Sequence, residues 1–268
     1  MLNDVTVTRA ISQRFFEKFQ SALELDAAIV GAGPSGLVAG RYIAQAGKKV
    51  ALFESKLSTG GGIWGGGMMF NEIVVQKEAT EILDDFGIRY AAFEDGYYTA
   101  DAVHAAAALA YHATRDGLLI FNGCRVEDVL FRENRVAGVV ILWSPVIAAG
   151  LHVDPLSIAA TSVLDATGHA AEIVNVAVRK MGISLNTETG GILGERSMWA
   201  ENAESSVVDK TGEVFPGLHV AGMAAAAVHG GYRMGPIFGG MLLSGRRAAE
   251  QILASLAPAT EPTSERTR

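Results

Sequence analysis

The 268-residue chain is long enough to bury a substantial core, as one large α/β domain or one domain with a smaller excursion, and too short for two full domains. Apolar residues at 49%, charged residues at 19% and 31 glycines suit a buried parallel sheet wrapped by small-residue helices, and exclude disorder away from the ends. A formal net charge of −7 with no Lys/Arg run argues against a nucleic-acid surface, and Cys124, as the single cysteine, excludes an intramolecular disulfide and a thiolate metal cage, which suits a reducing cytoplasm.

In chain order, residues 5–22 carry Ile11, Phe15, Phe16 and Phe19 at helical spacing, which predicts an amphipathic helix covering a sheet edge or contacting another subunit. The N-terminal stretch mixes acidic and basic residues without a continuous apolar core, so it does not read as a signal peptide, and no uninterrupted apolar run approaches the roughly 20 residues of a membrane span. The apolar run Ala27 to Val30 then leads into Gly31, Gly33 and Gly36, a helical segment ending near Gly47, and a second run, Val50 to Phe53, that finishes on Glu54. This is the strand, turn, helix, strand and acidic terminus of a dinucleotide-binding unit. Gly31 permits the tight turn, Gly33 lets backbone approach a pyrophosphate, and Gly36 lets helix and strand pack closely, with unpaired N–H groups at the helix start facing the anion.

The loop after Glu54 has Gly60 to Gly62 and Gly65 to Gly67 bracketing Ile63 and Trp64, a composition costly to order unless a ligand or another backbone comes close. Helical periodicity predicts helices over about Val75 to Phe86, stopped at Gly87, and Asp101 to about Arg115, with Asp101 as a cap. Leu118 to Asn122 reads as a strand, and Cys124 to Phe131 and Arg135 to Leu142 flank a turn at Glu133 and Asn134, giving a small antiparallel excursion near 123–145. A connection precedes the strand Ser162 to Ala166, and helical character resumes through Met181. Residues 190–211 carry no assignable element. Leu218 to Ala221 is a short strand, followed by a glycine-rich segment whose Arg233 stands just before a last helix with Pro236 in its first turn. The expected organisation is one α/β domain over 1–256, with residues 257–268 as a polar, disordered tail.

Away from the glycine turn, His152, Asp154 and His169 are the most informative polar set. Pro155 biases Asp154 toward an extended conformation, and His169 stands just past the end of a predicted central strand, the usual place for functional groups in open α/β sheets. Two imidazoles and a carboxylate suit ferrous iron or a similar divalent metal. From spacing alone, an equal reading is structural, with Asp154 capping a helix after Pro155 and His169 satisfied by backbone. Arg233, flanked by glycines, is placed to take a carboxylate or phosphate bidentately. His229 reads as a loop histidine, Met223 as a pocket or core residue, and Cys124 as a buried small hydrophobe.

Taken together, GAGPSG with Glu54, GGGIWGGGMMFNE, HVDP, ATGH and YRMGPIFGGMLLSG resemble the thiamine thiazole synthase family over nearly the whole chain. The resemblance implies a dinucleotide-binding α/β fold of the glutathione-reductase type, with NAD consumed as a substrate. Nicotinamide leaves, the opened ADP-ribose condenses with glycine, sulfur is added, and cyclisation gives an ADP-linked thiazole carboxylate for thiamine biosynthesis. Eukaryotic members carry a sulfur-donating cysteine directly before the x-D-P, where this chain has His152, so it looks like the archaeal and bacterial members that use sulfide with Fe(II) over many turnovers. Carried over, Asp154 and His169 are iron ligands and Arg233 holds the glycine carboxylate. Ser35, Glu54, Ser55, Gly62, Val126, Met223 and the segment His152, Val153 and Asp154 contact NAD, with Gly31, Gly33 and Gly36 forming the turn. His152 positions sulfide, shuttles a proton, or fills the cysteine's space. In the family the HVDP loop of one protomer reaches its neighbour's site, so the resemblance also implies an oligomer, often an octamer. A flavin-dependent oxidoreductase, a sugar-bisphosphate isomerase and a non-catalytic NAD-binding module remain as alternatives.

Overall fold

In the computed structural model, which describes residues 2–257, helix α1 (Asp4–Ser21) is capped by Asn3, whose side chain accepts from Thr6 N at 3.0 Å. Its Phe15 and Phe19 lie edge-on against Phe121 of the outermost parallel strand, so the helix covers a sheet edge as its spacing predicts. Strand β1 (Glu24–Val30), helix α2 (Pro34–Gln45) and strand β2 (Val50–Glu54) follow the sequence reading, with β1 starting three residues before Ala27. The two strands pair in parallel, Ala27 opposite Val50 and Val30 opposite Phe53. Their side chains alternate between two cores: Ile29 and Leu52 enter the one beneath α2, Val30 and Phe53 the opposite one. Burial on both faces explains why these strands read as continuous apolar runs.

The region after the glycine-rich loop departs from expectation. Strand β3 (Glu72–Gln76) occupies the start of the predicted 75–86 helix, and only α3 (Thr80–Asp85) is α-helical, ending at Gly87 with φ +60°. Val75 sits in the strand because β3 pairs antiparallel with β5 (Tyr97–Asp101), which also pairs with β4 (Ala91–Glu94). A short apolar run cannot distinguish strand from helix by its period, and cross-strand pairing decided it. Helix α4 (Ala102–Arg115) then begins where expected, with the Asp101 side chain accepting from His104 N at 2.6 Å.

Strand β6 (Leu119–Asn122) closes the parallel edge. The hairpin β7 (Cys124–Arg132) and β8 (Arg135–Trp143) turns at Glu133 and Asn134, both left-handed at φ +49° and +59°, the geometry of a type I′ turn. Short helix α5 (Ser144–Ala148) leads to β9 (Leu156–Asp165), which starts six residues earlier than read from sequence because its first half pairs with β8. Its second half lies between β1 and a later strand. The hairpin is therefore continuous with the main sheet. Helix α6 (Glu172–Met181) follows, so no helix starts after Pro155 for Asp154 to cap.

The unassigned 190–211 stretch contains strand β10 (Arg196–Met198) and helix α7 (Ala200–Asp209). Strands β11 (Gly212–Phe215) and β12 (Leu218–Val220), helix α8 (Met223–Val228), the two-residue strand β13 (Tyr232–Arg233) and helix α9 (Gly239–Ser255) complete the chain. Pro236 thus precedes the last helix rather than standing in its first turn. The main sheet runs β11-β12-β9-β1-β2-β6, with β8 also on β9 and β7 on β8, a mixed sheet in an α/β protein. The expected tail disorder concerns residues that, from 258 on, lie outside those described.

Behind the sheet, α7 and α9 bury Glu204, whose Oε2 accepts from Gly240 N at 2.6 Å. Burial pushes its carboxyl up to about 7. Glu204 Oε1 is buried without a hydrogen-bond partner among the described residues, and the hydrogen bond from Gly240 N opposes the rise without cancelling it. Because the folded state holds the carboxyl proton more tightly than the unfolded chain, stability should fall as pH rises from about 4.5 through 7, by on the order of 3 kcal/mol at about 1.4 kcal/mol per pH unit. Glu204→Gln, which carries a donor at every pH, should flatten that slope in urea titrations. An unchanged slope would show that Glu204 is not its source.

Candidate active site

The parallel strands β1, β2, β9 and β12 end together beneath one cleft of about 1020 Å³, at the carboxyl edge of the sheet where open α/β sheets bind ligands. The three glycines of the turn differ in what a side chain there would meet. Gly31 lies at φ +102°, and a Cβ there would stand 2.4 Å from Ala166 O. One on Gly36 would stand 2.1 Å from Gly31 O, so Gly36 belongs to the packing behind the cleft and not to its lining. Gly33, the N-cap of α2, has no atom within 4 Å of an added Cβ and faces open space. Pro34 fills the first helical position, leaving the N–H groups of the first turn at the cleft floor.

Glu54 ends β2, buried, with Oε2 accepting from Ala32 N at 2.8 Å and Oε1 from Lys56 N at 2.8 Å. Its carboxylate therefore braces the glycine turn while lining the cleft. Ser35 is buried and its hydroxyl donates to Met241 O at 2.9 Å, tying α2 to α9, so its hydrogen is already committed and only its oxygen lone pairs remain for a ligand. Ser55, Gly62, Val126 and Met223 line the same cleft. The glycine-rich loop is ordered: Ile63 is buried, the Trp64 indole donates to Thr59 O, and a Cβ on Gly66 would meet Glu72 O at 2.1 Å. Close backbone approach is the reason for glycine there. Cys124 lines the cleft from beneath, with burial pushing its thiol up to about 12, so it is not a poised nucleophile.

His169 lies in the turn Gly168–Ala170 that follows β9, and Arg233 lies in β13; both line the cleft. Arg233 makes no ion pair or side-chain hydrogen bond among the described residues. His169 Nδ1 is 2.6 Å from Glu195 Oε1, and its Nε2 has no protein partner among those residues. The turn is built on Asp165, a fully buried carboxylate. Its Oδ1 accepts from Thr167 N and Oγ1 at 3.0 and 2.7 Å, and its Oδ2 from Ile173 N and Val174 N at 2.9 and 3.0 Å. Burial raises the Asp165 carboxyl and these four donors oppose that rise.

His152, Val153 and Asp154 are all exposed on the loop between α5 and β9, and none of them lines this cleft. Within one chain, His169 belongs to the cleft lining and Asp154 does not. Among the described residues no group of three or more His, Cys, Asp or Glu side chains is arranged to hold a metal ion. His229 ends α8 partly buried, its imidazole held down by burial and by Lys210, and is not part of the cleft lining. Sequence reasoning missed Asp165 and Glu195. An acid ending the apolar run SVLD is a visible signal for the first; nothing local marks the second.

A parallel sheet with this glycine turn, acidic strand end and ligand-sized cleft defines a dinucleotide-binding α/β protein. Residues 8–238 match the Thi4 family. The chain is 56% identical over 255 residues to the thiamine thiazole synthase of Methanothermobacter thermautotrophicus, covering 95% of this chain and 99% of that one. It is 57% identical over 256 residues to that of Pyrococcus horikoshii, covering 96% and 99%. The crystal structure of Thermovibrio ammonificans THI4 superposes with a TM-score of 0.94 at 52% identity, over 96% of this chain and 99% of that one. The chain belongs to the Thi4 family.

Proposed function

We propose that the protein is a thiamine thiazole synthase of the sulfide-using, multiple-turnover kind, converting NAD, glycine and sulfide to an ADP-linked thiazole carboxylate with release of nicotinamide. The observation that carries this reading is the convergence on one cleft of the glycine turn with Glu54, the unpaired Arg233 and the half-open His169, in a chain more than half identical to thiamine thiazole synthases along its length.

The start of α2 takes the pyrophosphate through its free N–H groups, and the remaining lone pairs of Glu54 accept from ribose hydroxyls. Arg233 holds the glycine carboxylate, which its lack of any other ion partner favours. The side chains of His169 and of Asp154 from a neighbouring protomer would hold Fe(II). His169 Nε2 is free for this, whereas the exposure of the 151–154 loop supports delivery of Asp154 across an interface. An imidazole and a carboxylate suit that ion, which when bound would supply Lewis-acid chemistry beside the Arg233 site. Val153 travels with this loop and completes the NAD contacts from outside. On α1, Ile11 and Phe16 are 67% and 58% exposed in the single chain, which supports burial against another subunit.

His152 stands where a sulfur-donating cysteine would, so sulfur comes from free sulfide. Anaerobic protein given NAD, glycine, sulfide and Fe(II) should release nicotinamide and form more than one adenylated thiazole per chain; NAD that binds and stays intact would overturn the proposal. His152→Cys should yield a single sulfide-independent turnover, after which mass spectrometry should find one sulfur missing from the chain. An unchanged chain mass would leave His152 without a part in the choice of sulfur source.

A further inference from the structure

We infer that Glu195 is a positioning residue that sets the tautomer and ring plane of His169, an inference that rests in part on the reading of His169 as a metal ligand. An ionised carboxylate only accepts hydrogen bonds, so at 2.6 Å the proton between the two side chains belongs to Nδ1. Neutral His169 is then the Nδ1–H tautomer, and the lone pair is on Nε2, the nitrogen that has no protein partner among the described residues. A carboxylate behind a ligating imidazole raises its basicity and removes its freedom to rotate.

Glu195 is the fixed member of the pair. Its side chain is 21% exposed against 53% for His169. Its backbone is clamped on both sides: Leu193 N donates to Val228 O at 3.0 Å, Gly194 N to Ala227 O at 2.9 Å, and Arg196 N to Gly231 O at 2.8 Å. Those bonds anchor it to the end of α8 and to the turn before β13. Arg196 then pairs with Tyr232, and Met198 with Arg233. One short segment thereby links the His169 turn to the strand that carries Arg233, holding the two functional side chains in a common frame. A surface ion pair of two mobile side chains would have neither this anchoring nor this connection.

Two measurements on the intact protein test the inference. In metal-free protein labelled with 15N only at histidine, with His169 assigned by difference from His169→Ala, solid-state spectra should show the Nδ1–H tautomer. Glu195→Ala should redistribute it toward Nε2–H, while Glu195→Gln, which keeps an acceptor, should preserve it. In anaerobic Co(II) titrations, Glu195→Ala should bind about 10–100-fold more weakly than wild type and Glu195→Gln should fall between them, with NAD affinity unchanged in both. An unaltered tautomer in Glu195→Ala would overturn the inference, as would unaltered Co(II) affinity where His169→Ala abolishes binding. If His169→Ala binds Co(II) as tightly as wild type, the ligand reading of His169 fails, and the tautomer measurement still decides the hold of Glu195 on the ring.

Discussion

Asp165→Ala is expected to destabilise the protein by about 3–5 kcal/mol, the upper range for a single substitution, because it strips a buried, fully hydrogen-bonded carboxylate from the start of a helix. Three backbone N–H groups, those of Thr167, Ile173 and Val174, and the Thr167 hydroxyl lose their acceptor at once. Asp165 also supplies the acceptor for two otherwise unpaired amides in the first turn of α6. Urea denaturation measures the loss, and hydrogen exchange should accelerate first at the Thr167, Ile173 and Val174 amides. Asp165→Asn keeps one acceptor but sets an NH2 group against backbone donors, so it should lie closer to alanine than to wild type. A loss below about 1 kcal/mol would mean that water replaces the carboxylate and that the His169 turn holds itself.

The second large effect is a restoration. Asp154→Ala and His169→Ala should each abolish thiazole formation while leaving NAD binding largely intact, since neither side chain braces the glycine turn. Mixed after dissociation and reassembly, the two inactive proteins should recover about one quarter of wild-type activity, the random-assortment value for a site built across an interface. The reason is geometric. His169 lines the cleft whereas Asp154 is on an exposed loop outside it, so a chain lacking one can still offer the other to a neighbour. If the mixture stays inactive while intact wild-type oligomers re-form under the same conditions, the two residues do not serve one shared site.

These expectations differ in how much of them could be read before the fold was in view. The His169 turn was legible as a loop past a strand, since ATGH follows an apolar run. Its support was not: the carboxylate that holds the ring is 26 residues away. It arrives through a segment whose pairing with β13 has no periodic signature, because three residues of strand are too few to show one. Val75 was misread for the related reason that its apolar neighbours fit either period until β5 lay beside them. The family resemblance implies Ser35 as a cofactor contact, and it does line the cleft, yet its hydroxyl donates across 206 residues to Met241.

The amino-acid sequence by itself determined the strand, glycine turn, helix, strand and acidic end of the dinucleotide unit, the β7–β8 hairpin and the burial of Cys124. These depend on side-chain period and on which residues tolerate φ above zero, both local properties of the chain. Only the tertiary structure decided that Glu54 braces its own turn, that Asp165 builds the platform for His169, that Glu195 holds the imidazole, and that Asp154 is not part of the cleft lining. Each of those depends on which donor meets which buried acceptor after distant strands and helices pack, and a linear pattern of residue types does not encode that distance.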